Sequence, residues 1–403
     1  RQNLYPLMKW IREIGPGILI AAAFIGPGTV TLCTIAGVSY GYSLIWALIL
    51  SIFATIFLQE LSLRVGLVTK MNVAEVISKS VKSIYFNKFL IVLIVSSILI
   101  GNAAYEAGNI TGASLGISAI ISNDSISYIP VFIGIAAFLI LFQGNYKIIE
   151  KSLIFLVLTM SISFLITAII TKPNLKSLIE GMFIPSFDEN SILIVLGLIG
   201  TTVVPYNIFL HSSLVTEKWD SIKKLKTARI ESFVSIFLGG IISLSIIVTA
   251  ASVNTQDVKS VIDLAKGLEP LYGKFAIYFL GIGLFASGIT STVTAPLAAA
   301  YVVKSCFAWK DSMKTYKFRL VWMSVLIFGV VVSMIQLNPI EIIKFAQFSN
   351  SLLLPIIAII LLWLVNDNSI IGKEYGYRYQ NIFGIIIIMI TIILGIRGLI
   401  LIF

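Results

Sequence analysis

Two residues inside otherwise apolar stretches carry the chemistry that a cation-binding or proton-handling site needs. Glu106 lies deep in the apolar run that contains AAYEAGNITGAS, and His211 is the only histidine of the chain. A carboxyl group in a membrane interior is costly, so Glu106 is a candidate to bind a cationic solute or to take up a proton. The alternative for Glu106 is a carboxyl that pairs with a neighbouring hydroxyl for packing. The alternative for His211 is a satisfied core residue rather than a proton relay.

Two sequences that break helices lie in long apolar stretches. Residues 26–29 read GPGT, and Pro205 lies between Val204 and Tyr206 in IVLGLIGTTVVPYNIFLHSSLV. Proline and glycine in a membrane helix free backbone groups, which must find partners in protein or in a water-lined cavity. Two such breaks predict a solute pocket formed by carbonyl groups and half-helix ends. Two unrelated kinks are the alternative.

The composition defines the class of protein that must hold these residues. Hydrophobic residues make up 58% of the 403 residues and charged residues only 12%, whereas soluble domains contain about 25% charged residues. Mean hydropathy is +1.00. The apolar runs have the length of membrane helices rather than of barrel strands. The excess of Lys and Arg is interpreted as loop charge that fixes topology, and no nucleic-acid partner is expected.

Eleven apolar spans are predicted to cross the membrane. They lie near residues 15–40, 44–66, 89–119, 127–143, 152–171, 189–214, 232–252, 272–304, 319–336, 340–365 and 380–402. The connections on one side are rich in Lys and Arg, and this asymmetry predicts a cytoplasmic N-terminus and an external C-terminus. The plasma (inner) membrane is the expected location. The chain is expected to be a single transmembrane domain over residues 1–403.

The breaks fall in spans 1 and 6, five spans apart. Two sets of five spans, each opening with an interrupted helix, are typical of inverted-repeat secondary transporters, because an odd number of spans reverses the second set. The predicted fold class is therefore an all-α polytopic membrane protein with about 11 transmembrane helices, a 5+5 inverted repeat and discontinuous helices 1 and 6. The repeats are placed at about residues 12–171 and 189–365, and an extra helix at about 380–402.

Several motifs resemble the Nramp divalent-metal transporters. GPGILIAAAFIGPGT resembles the family's first-span GPG…DPGN, and RVGLVTKMNVAE resembles its RLGVVTG…LAE loop. VPYNIFLHSSLV is similar to its MPHN-x-x-LHS-x-LV, and LFASGITSTVTAPLAAAYVVKSCF to its eighth-span AAG-x-SSTVTGTLAGQ. The resemblance continues through FAQFSNSLLLPIIAII and NDNSIIGK, so it extends over nearly the whole chain. It implies the LeuT-like fold of sodium-coupled amino acid carriers.

The residues that hold metal in that family are replaced here. The resemblance implies that the first-span Asp and Asn and the sixth-span Met correspond to Gly26, Thr29 and Val204. The sixth-span His before Asn is matched by Tyr206, whereas Asn207 and His211 keep the family residues. The resemblance also places Glu106 and Asn109 at the positions of the family's proton route, and Gln347 at its span 10 glutamine.

The predicted substrate site therefore consists of backbone carbonyls, hydroxyls and amides without a fixed negative charge. Its members are Ala23, Gly26, Gly28, Thr29, Thr201, Val204, Tyr206, Asn207 and Gln347. A separate set, Glu106, Asn109 and His211, is predicted to couple transport to protons. A bare divalent ion without a charged ligand is hard to justify, so no protein-held metal and no cofactor is expected. Gly26 and Gly28 leave room for a larger ligand.

Three functions follow from this site, and an enzyme is not among them, because no nucleophile or metal motif converges. The first is a secondary transporter of a small polar organic solute, neutral or singly charged, with H⁺ as a coupling ion. The alternative is a transporter of a divalent metal ion such as hydrated Mg²⁺ or Mn²⁺, which keeps much of its water. The third is a membrane sensor that retains the carrier scaffold without transport. The expected partners are this small solute or ion and the lipid bilayer.

Overall fold

The structure is a computed structural model. It describes residues 25–81, 83–121, 128–143, 147–186, 188–189, 191–219, 221–253, 258, 260–309, 315–335, 337–373, 376 and 379–402. Ala23, one of the predicted site residues, lies outside the described residues, as does the first part of the predicted first span. Within the described part of the chain, the secondary structure is helical throughout and contains no strand.

The helices are numbered here in chain order. They are α1 Pro27–Tyr40, α2 Ile45–Thr69, α3 Val73–Ser80, α4 Ile84–Ile121, α5 Ile129–Gln143, α6 Lys147–Ile170, α7 Leu175–Phe183, α8 Ile192–Thr202, α9 Pro205–Lys218, α10 Leu225–Ala251, α11 Val261–Ala265, α12 Glu269–Tyr272, α13 Ala276–Cys306, α14 Tyr316–Ser333, α15 Pro339–Asn366, α16 Asn368–Ile371 and α17 Tyr379–Ile402. Short 3-10 turns precede α10 and flank α12.

The described residues confirm a polytopic helical membrane protein. Eight stretches are long and apolar enough to cross a bilayer, and α6 with α7 makes a ninth if this pair, bent by 119°, counts as one span. Helix α5 is a shorter apolar helix, and α1 is described only from Pro27 onward. The count of eleven spans therefore stays a prediction.

The break predicted in span 6 is present. Helix α8 ends at Thr202, and Val203 and Val204 leave the helical region with ψ angles of 82° and 117° before α9 begins at Pro205. A carbonyl freed by this break, that of Thr202, accepts a hydrogen bond from the Thr55 hydroxyl of α2 at 3.4 Å. The protein itself thus supplies a partner where lipid cannot.

Helix α1 begins in the same way as α9. Gly26 is extended, with φ −92° and ψ 176°, and Pro27 is the first residue of the helix. Proline suits this position because its fixed φ is helical and its missing N–H would have no intrahelical partner. Only Gly26 of the GPGT sequence is extended, because the helix already begins at Pro27. Pro205 starts the matching helix in the second half of the chain.

Helix α4 lies at the centre of the packing. It packs along α13, α14 and α15, while α10 packs against α1 and α2, and α8 against α15. Close approach of α4 and α13 depends on small residues, since a side chain at Gly281 would meet the carbonyl oxygen of Gly116 at 2.8 Å. Cys33 and Cys306 are buried and free. This packing brings the starts of α1 and α9 against the polar faces of α4, α13 and α15.

Candidate functional site

The two helix breaks are joined by a buried hydrogen bond. The hydroxyl oxygens of Thr29 on α1 and Thr201 on α8 are 2.8 Å apart, although the residues are 172 positions apart in the sequence. Both side chains are almost fully buried. The structure therefore brings these two predicted site residues together, and the chain segments on either side of the site are directly linked.

Replacing Thr29 by valine removes this link without changing the side-chain shape. We expect T29V to lower the free energy of unfolding by about 1–3 kcal/mol, because the buried Thr201 hydroxyl loses its partner. T31V is the matched control on the same helix, since the buried Thr31 hydroxyl has no hydrogen-bond partner. Thermal unfolding in detergent measures both variants, and T31V should be neutral or stabilising. Equal destabilisation by the two substitutions would contradict the structural role of the Thr29–Thr201 bond.

The start of α9 places Tyr206 and Asn207 in the interior. Tyr206 is fully buried, and its ring meets that of Tyr105 on α4 edge to face, with 5.7 Å between the centroids. Asn207 is also fully buried, and neither its side-chain oxygen nor its nitrogen has a hydrogen-bond partner in the structure. A buried amide with both polar atoms unpartnered is costly, which makes Asn207 a candidate to bind a ligand or water.

Gln347 on α15 lies against the first break. A Cβ at Gly28 would overlap its side-chain amide, so Gln347 occupies the space that glycine leaves at position 28. The Gln347 side-chain oxygen is buried without a partner. Gln347 and Gly28 thus lie together, and the amide of Gln347 fills the space that Gly28 leaves.

Gly26 has more space than Gly28. A Cβ added there would meet only the Ser291 hydroxyl of α13 and the Tyr105 hydroxyl, both at 3.6 Å, which is ordinary van der Waals contact. Val204, the other replaced ligand position, is buried and contributes no polar side-chain atom. The site is therefore bordered by hydroxyl and amide groups, with room for a larger side chain at position 26.

Sequence reasoning missed three polar residues near this site. They are Ser291 and Thr292 on α13 and Asn350 on α15. The Thr292 hydroxyl and both polar atoms of the Asn350 side chain are buried without partners. The signal was available, because polar residues in an apolar span need a reason, and Asn350 follows Gln347 by one helical turn.

Glu106 belongs to a polar stripe on α4. Asn102, Tyr105, Glu106 and Asn109 follow the helical spacing i, i+3, i+4 and i+7 and are all buried. The side-chain nitrogen of Asn109 donates to one carboxyl oxygen of Glu106 at 3.4 Å, and the other oxygen has no partner. Gly329 of α14 lies directly against the Glu106 side chain. Glu106 thus adjoins Tyr105, which in turn contacts the substrate site.

His211 has a different environment from Glu106. Its Nδ1 is 2.7 Å from the side-chain oxygen of Gln59 on α2, and it is 1% exposed. It follows Pro205 by six residues, which corresponds to about 9 Å along α9. His211 is therefore hydrogen-bonded on the α2 side, whereas Glu106 and Asn109 lie on α4, and the three predicted coupling residues do not form one hydrogen-bonded group among the described residues.

Among the described residues, no group of three or more His, Cys, Asp or Glu side chains is arranged to hold a metal ion. The described residues at the meeting point of the two breaks are uncharged. The neutral oxygens there belong to Thr29, Thr201, Asn207 and Gln347. Such a set can hydrogen-bond a polar solute or the water shell of a cation.

The broken helices, the buried polar residues between them and the membrane spans define a polytopic transporter with a LeuT-like fold. The model of the Nramp family, described as natural resistance-associated macrophage protein-like, matches residues 17–401, and the chain belongs to this family. Because the family consists of transporters, the expectation that the chain is not an enzyme is confirmed. The resemblance stated from the motifs is confirmed as well.

Relatives and solved structures agree with this assignment. The divalent metal cation transporter MntH of Caldanaerobacter subterraneus is 28% identical over 98% of this chain and 95% of its own length. The protein of the same name from Staphylococcus saprophyticus is 27% identical over 96% and 91%. The Eremococcus coleocola manganese transporter, crystallised with an aromatic bis-isothiourea compound, superposes with a TM-score of 0.79 at 19% identity, over 99% of this chain and 87% of that one.

Another solved structure resembles this chain less closely. Mhp1, a nucleobase-cation-symport-1 family transporter in a closed conformation with bromovinylhydantoin bound, has a TM-score of 0.62 at 16% identity, over 96% of this chain and 90% of that one. At such identity these likenesses concern the fold alone. The predicted fold class is confirmed by them.

Proposed function

We propose that this chain is a secondary transporter of a divalent cation that enters the site with much of its hydration shell. The chain-long similarity to proteins named divalent metal cation transporters supports the cation. Of the functions predicted from the sequence, this similarity favours transport of a divalent metal ion over transport of a small organic solute. The proposal keeps the second part of the sequence reasoning, which is that the protein supplies no charged ligand at the breaks.

The observation that carries this proposal is the set of unpartnered amide atoms at the breaks. Asn207 has two such atoms and Gln347 one, and all are buried. Neutral oxygens bind hard cations directly or accept hydrogen bonds from the cation's water. Mg²⁺ loses its water reluctantly and is usually bound through few protein ligands. A neutral site that contacts the hydration shell therefore suits Mg²⁺ better than a softer metal that prefers imidazole or thioether ligands.

Glu106 is proposed to take up and release a proton during transport. Its unpartnered carboxyl oxygen and its position next to Tyr105 in the sequence support this role. A carboxylate in a membrane interior is costly without a cation or a proton. Asn109 acts through Glu106, whose carboxyl oxygen it contacts. His211 is proposed as a relay on the α2 side through Gln59.

The proposed arrangement in the membrane follows the charge asymmetry of the connections. The chain is proposed to lie in the plasma (inner) membrane, with its N-terminus in the cytoplasm and its C-terminus outside. The chain forms one domain of two inverted repeats, at about residues 12–171 and 189–365, followed by the extra helix α17. Ala23 and Thr201 are proposed to offer their carbonyl groups to the substrate.

A small polar organic solute remains the second candidate because of a specific observation. The space beside Gly26 is bordered by hydroxyl groups and not by a carboxylate. Hydroxyls and amides bind a neutral polar solute without a charge penalty. If the protein is instead a sensor that keeps this scaffold, the ligand should bind without being transported.

Isothermal titration of the purified protein separates the candidates. Mg²⁺, Mn²⁺ and Ca²⁺ are compared with a panel of amides, amines and amino acids. Binding of Mg²⁺, followed by Mg²⁺ uptake in proteoliposomes, supports the proposal. Binding of an organic compound with no response to millimolar cations would overturn it in favour of the second candidate, and binding of a cation without uptake would support the sensor.

A further inference from the structure

A lateral groove lies between α2, α10 and α17, and none of the residues predicted for the substrate site lines it. It encloses a cavity of about 570 Å³. Its lining on α2 runs from Leu50 to Arg64, which corresponds to about 21 Å of helix, more than the ~15 Å thickness of one hydrocarbon leaflet. Phe53 and Phe383 border the groove and are 65% and 59% exposed. The groove therefore opens sideways, towards the space that acyl chains occupy.

One end of this groove is charged. The Glu60 carboxylate accepts hydrogen bonds from Arg229 Nε at 2.7 Å and from Arg64 Nε at 3.1 Å, and both guanidinium groups also form ion pairs with it. These are the three charged residues among the described residues that line the groove. Within these three described residues, two guanidinium groups and one carboxylate sum to a charge of +1.

Gln380 of α17 is the independent sign of a ligand at the charged end. Its side-chain oxygen accepts a hydrogen bond from Arg64 Nη1 at 2.6 Å, which fixes the amide beside the guanidinium. Its side-chain nitrogen is buried without a partner, and the residue is 2% exposed. Because a buried N–H donor without an acceptor is costly, this nitrogen favours an anionic oxygen at the charged end of the groove.

The surroundings continue the same charge pattern. Lys223, Lys224 and Lys226 are exposed directly before and at the start of α10, within one to two turns of Arg229. The rest of the groove is apolar and aromatic. Its apolar lining is Leu50, Phe53, Ala54, Ile56, Phe57, Phe383, Ile386 and Ile387. A basic end that continues into a long apolar groove complements an anionic headgroup with an attached acyl chain.

We propose that this groove binds one anionic glycerophospholipid. Its phosphate group lies at Arg64, Arg229 and the nitrogen of Gln380, and one acyl chain lies along α2 towards Leu50. The basic residues place the headgroup at the leaflet that faces the Lys-rich connections. The lipid thus bridges α17 to α2 and α10, which are separated widely in the sequence.

Native mass spectrometry of the detergent-purified chain tests this lipid site. The protein is incubated with phosphatidylglycerol or with phosphatidylcholine of the same acyl composition. We expect the wild-type chain to retain one phosphatidylglycerol and to prefer it over phosphatidylcholine. R229Q should retain about fivefold less, the factor expected for one arginine at an anionic lipid surface, and R229K should lie between the two.

R319Q is the matched control. Arg319 lies near the start of α14, where its guanidinium group packs over the Phe142 ring at 4.2 Å, and it does not line the groove. Its replacement makes the same charge change and should leave phosphatidylglycerol retention as in the wild-type chain. Thermal unfolding confirms that each variant is folded.

A second measurement does not depend on the stability of R229Q. A photo-crosslinking amino acid at the exposed position 53 should attach to phosphatidylglycerol that is bound in the groove. Equal retention of the two lipids, unchanged retention in R229Q, or no attachment from position 53 would overturn the proposal. Protection from thermal unfolding by glycerol phosphate or inorganic phosphate alone, equal to that by the lipid, would also overturn it and assign the charged end to a free anion.

Discussion

Introducing a carboxylate at the first break, by Gly26→Asp, should tighten Mn²⁺ binding by about 100-fold. The side chain has room, because a Cβ at this position makes only ordinary contacts at 3.6 Å with Ser291 and Tyr105. A unit charge about 4 Å from another gives roughly 4 kcal/mol at an effective dielectric constant of 20, and part of this is lost to desolvation of the carboxylate. Isothermal titration of the purified variant with Mn²⁺ and Mg²⁺ measures the change.

The control for this prediction is Gly376→Asp. Gly376 is exposed and lies in the segment before α17, where a Cβ meets no atom closer than 3.6 Å. The same change of charge there should leave the affinity unaltered, since it is far from the breaks. A folded G26D variant with unchanged Mn²⁺ affinity would show that cations do not bind between the two helix breaks, and the proposed function would then lose its site.

Replacing the buried carboxyl group, by Glu106→Gln, should remove the acceleration of uptake by an inward proton gradient. The amide keeps the shape of the side chain but cannot take up and release a proton at the relevant pH. We expect uptake driven by acidification to fall by at least about tenfold, in line with the loss of a positioned proton-transfer group, while ligand affinity changes only slightly. Proteoliposomes with and without a pH gradient provide the measurement.

The thermal stability of E106Q distinguishes a proton-transfer role of Glu106 from a packing role. One carboxyl oxygen of Glu106 has no hydrogen-bond partner, so the isosteric amide should unfold at the same temperature or higher. Glu341→Gln is the control, because Glu341 is 63% exposed and forms a surface ion pair with Lys344 at 2.9 Å. If E106Q retains acid-stimulated uptake, the carboxyl group serves packing alone, which was the alternative that the sequence left open.

The sequence predicted the breaks correctly because their cause is local. Proline at positions 27 and 205 lacks an N–H and fixes φ, so each starts a helix wherever the surrounding chain runs. The outline of the spans was predictable for a similar reason, since apolar length alone identifies a membrane helix. The ends of the spans were predicted less exactly than their existence. The span predicted over 272–304 is part of an apolar stretch that begins at Ile262 in the structure.

The sequence located the site but did not reveal how its residues pair. The Thr29–Thr201 bond joins residues 172 positions apart, and His211 bonds to Gln59 over 152 positions. No periodicity encodes which hydroxyl or amide meets which. Ser291 and Asn350 were passed over for the same reason, because a polar residue on an apolar helix gives no sign of the direction it faces.

By itself, the amino-acid sequence determined the membrane class, the helical fold, the two helix starts and the family. Each of these follows from local chemistry: apolar length, the missing N–H of proline and motifs of contiguous residues. Tertiary structure alone decided that Gln347 fills the space at Gly28, that Gly329 makes room for Glu106 and that Arg64, Arg229 and Gln380 meet at one groove. These arrangements depend on how helices pack across long sequence separations, where steric fit and hydrogen-bond satisfaction select one partner among many.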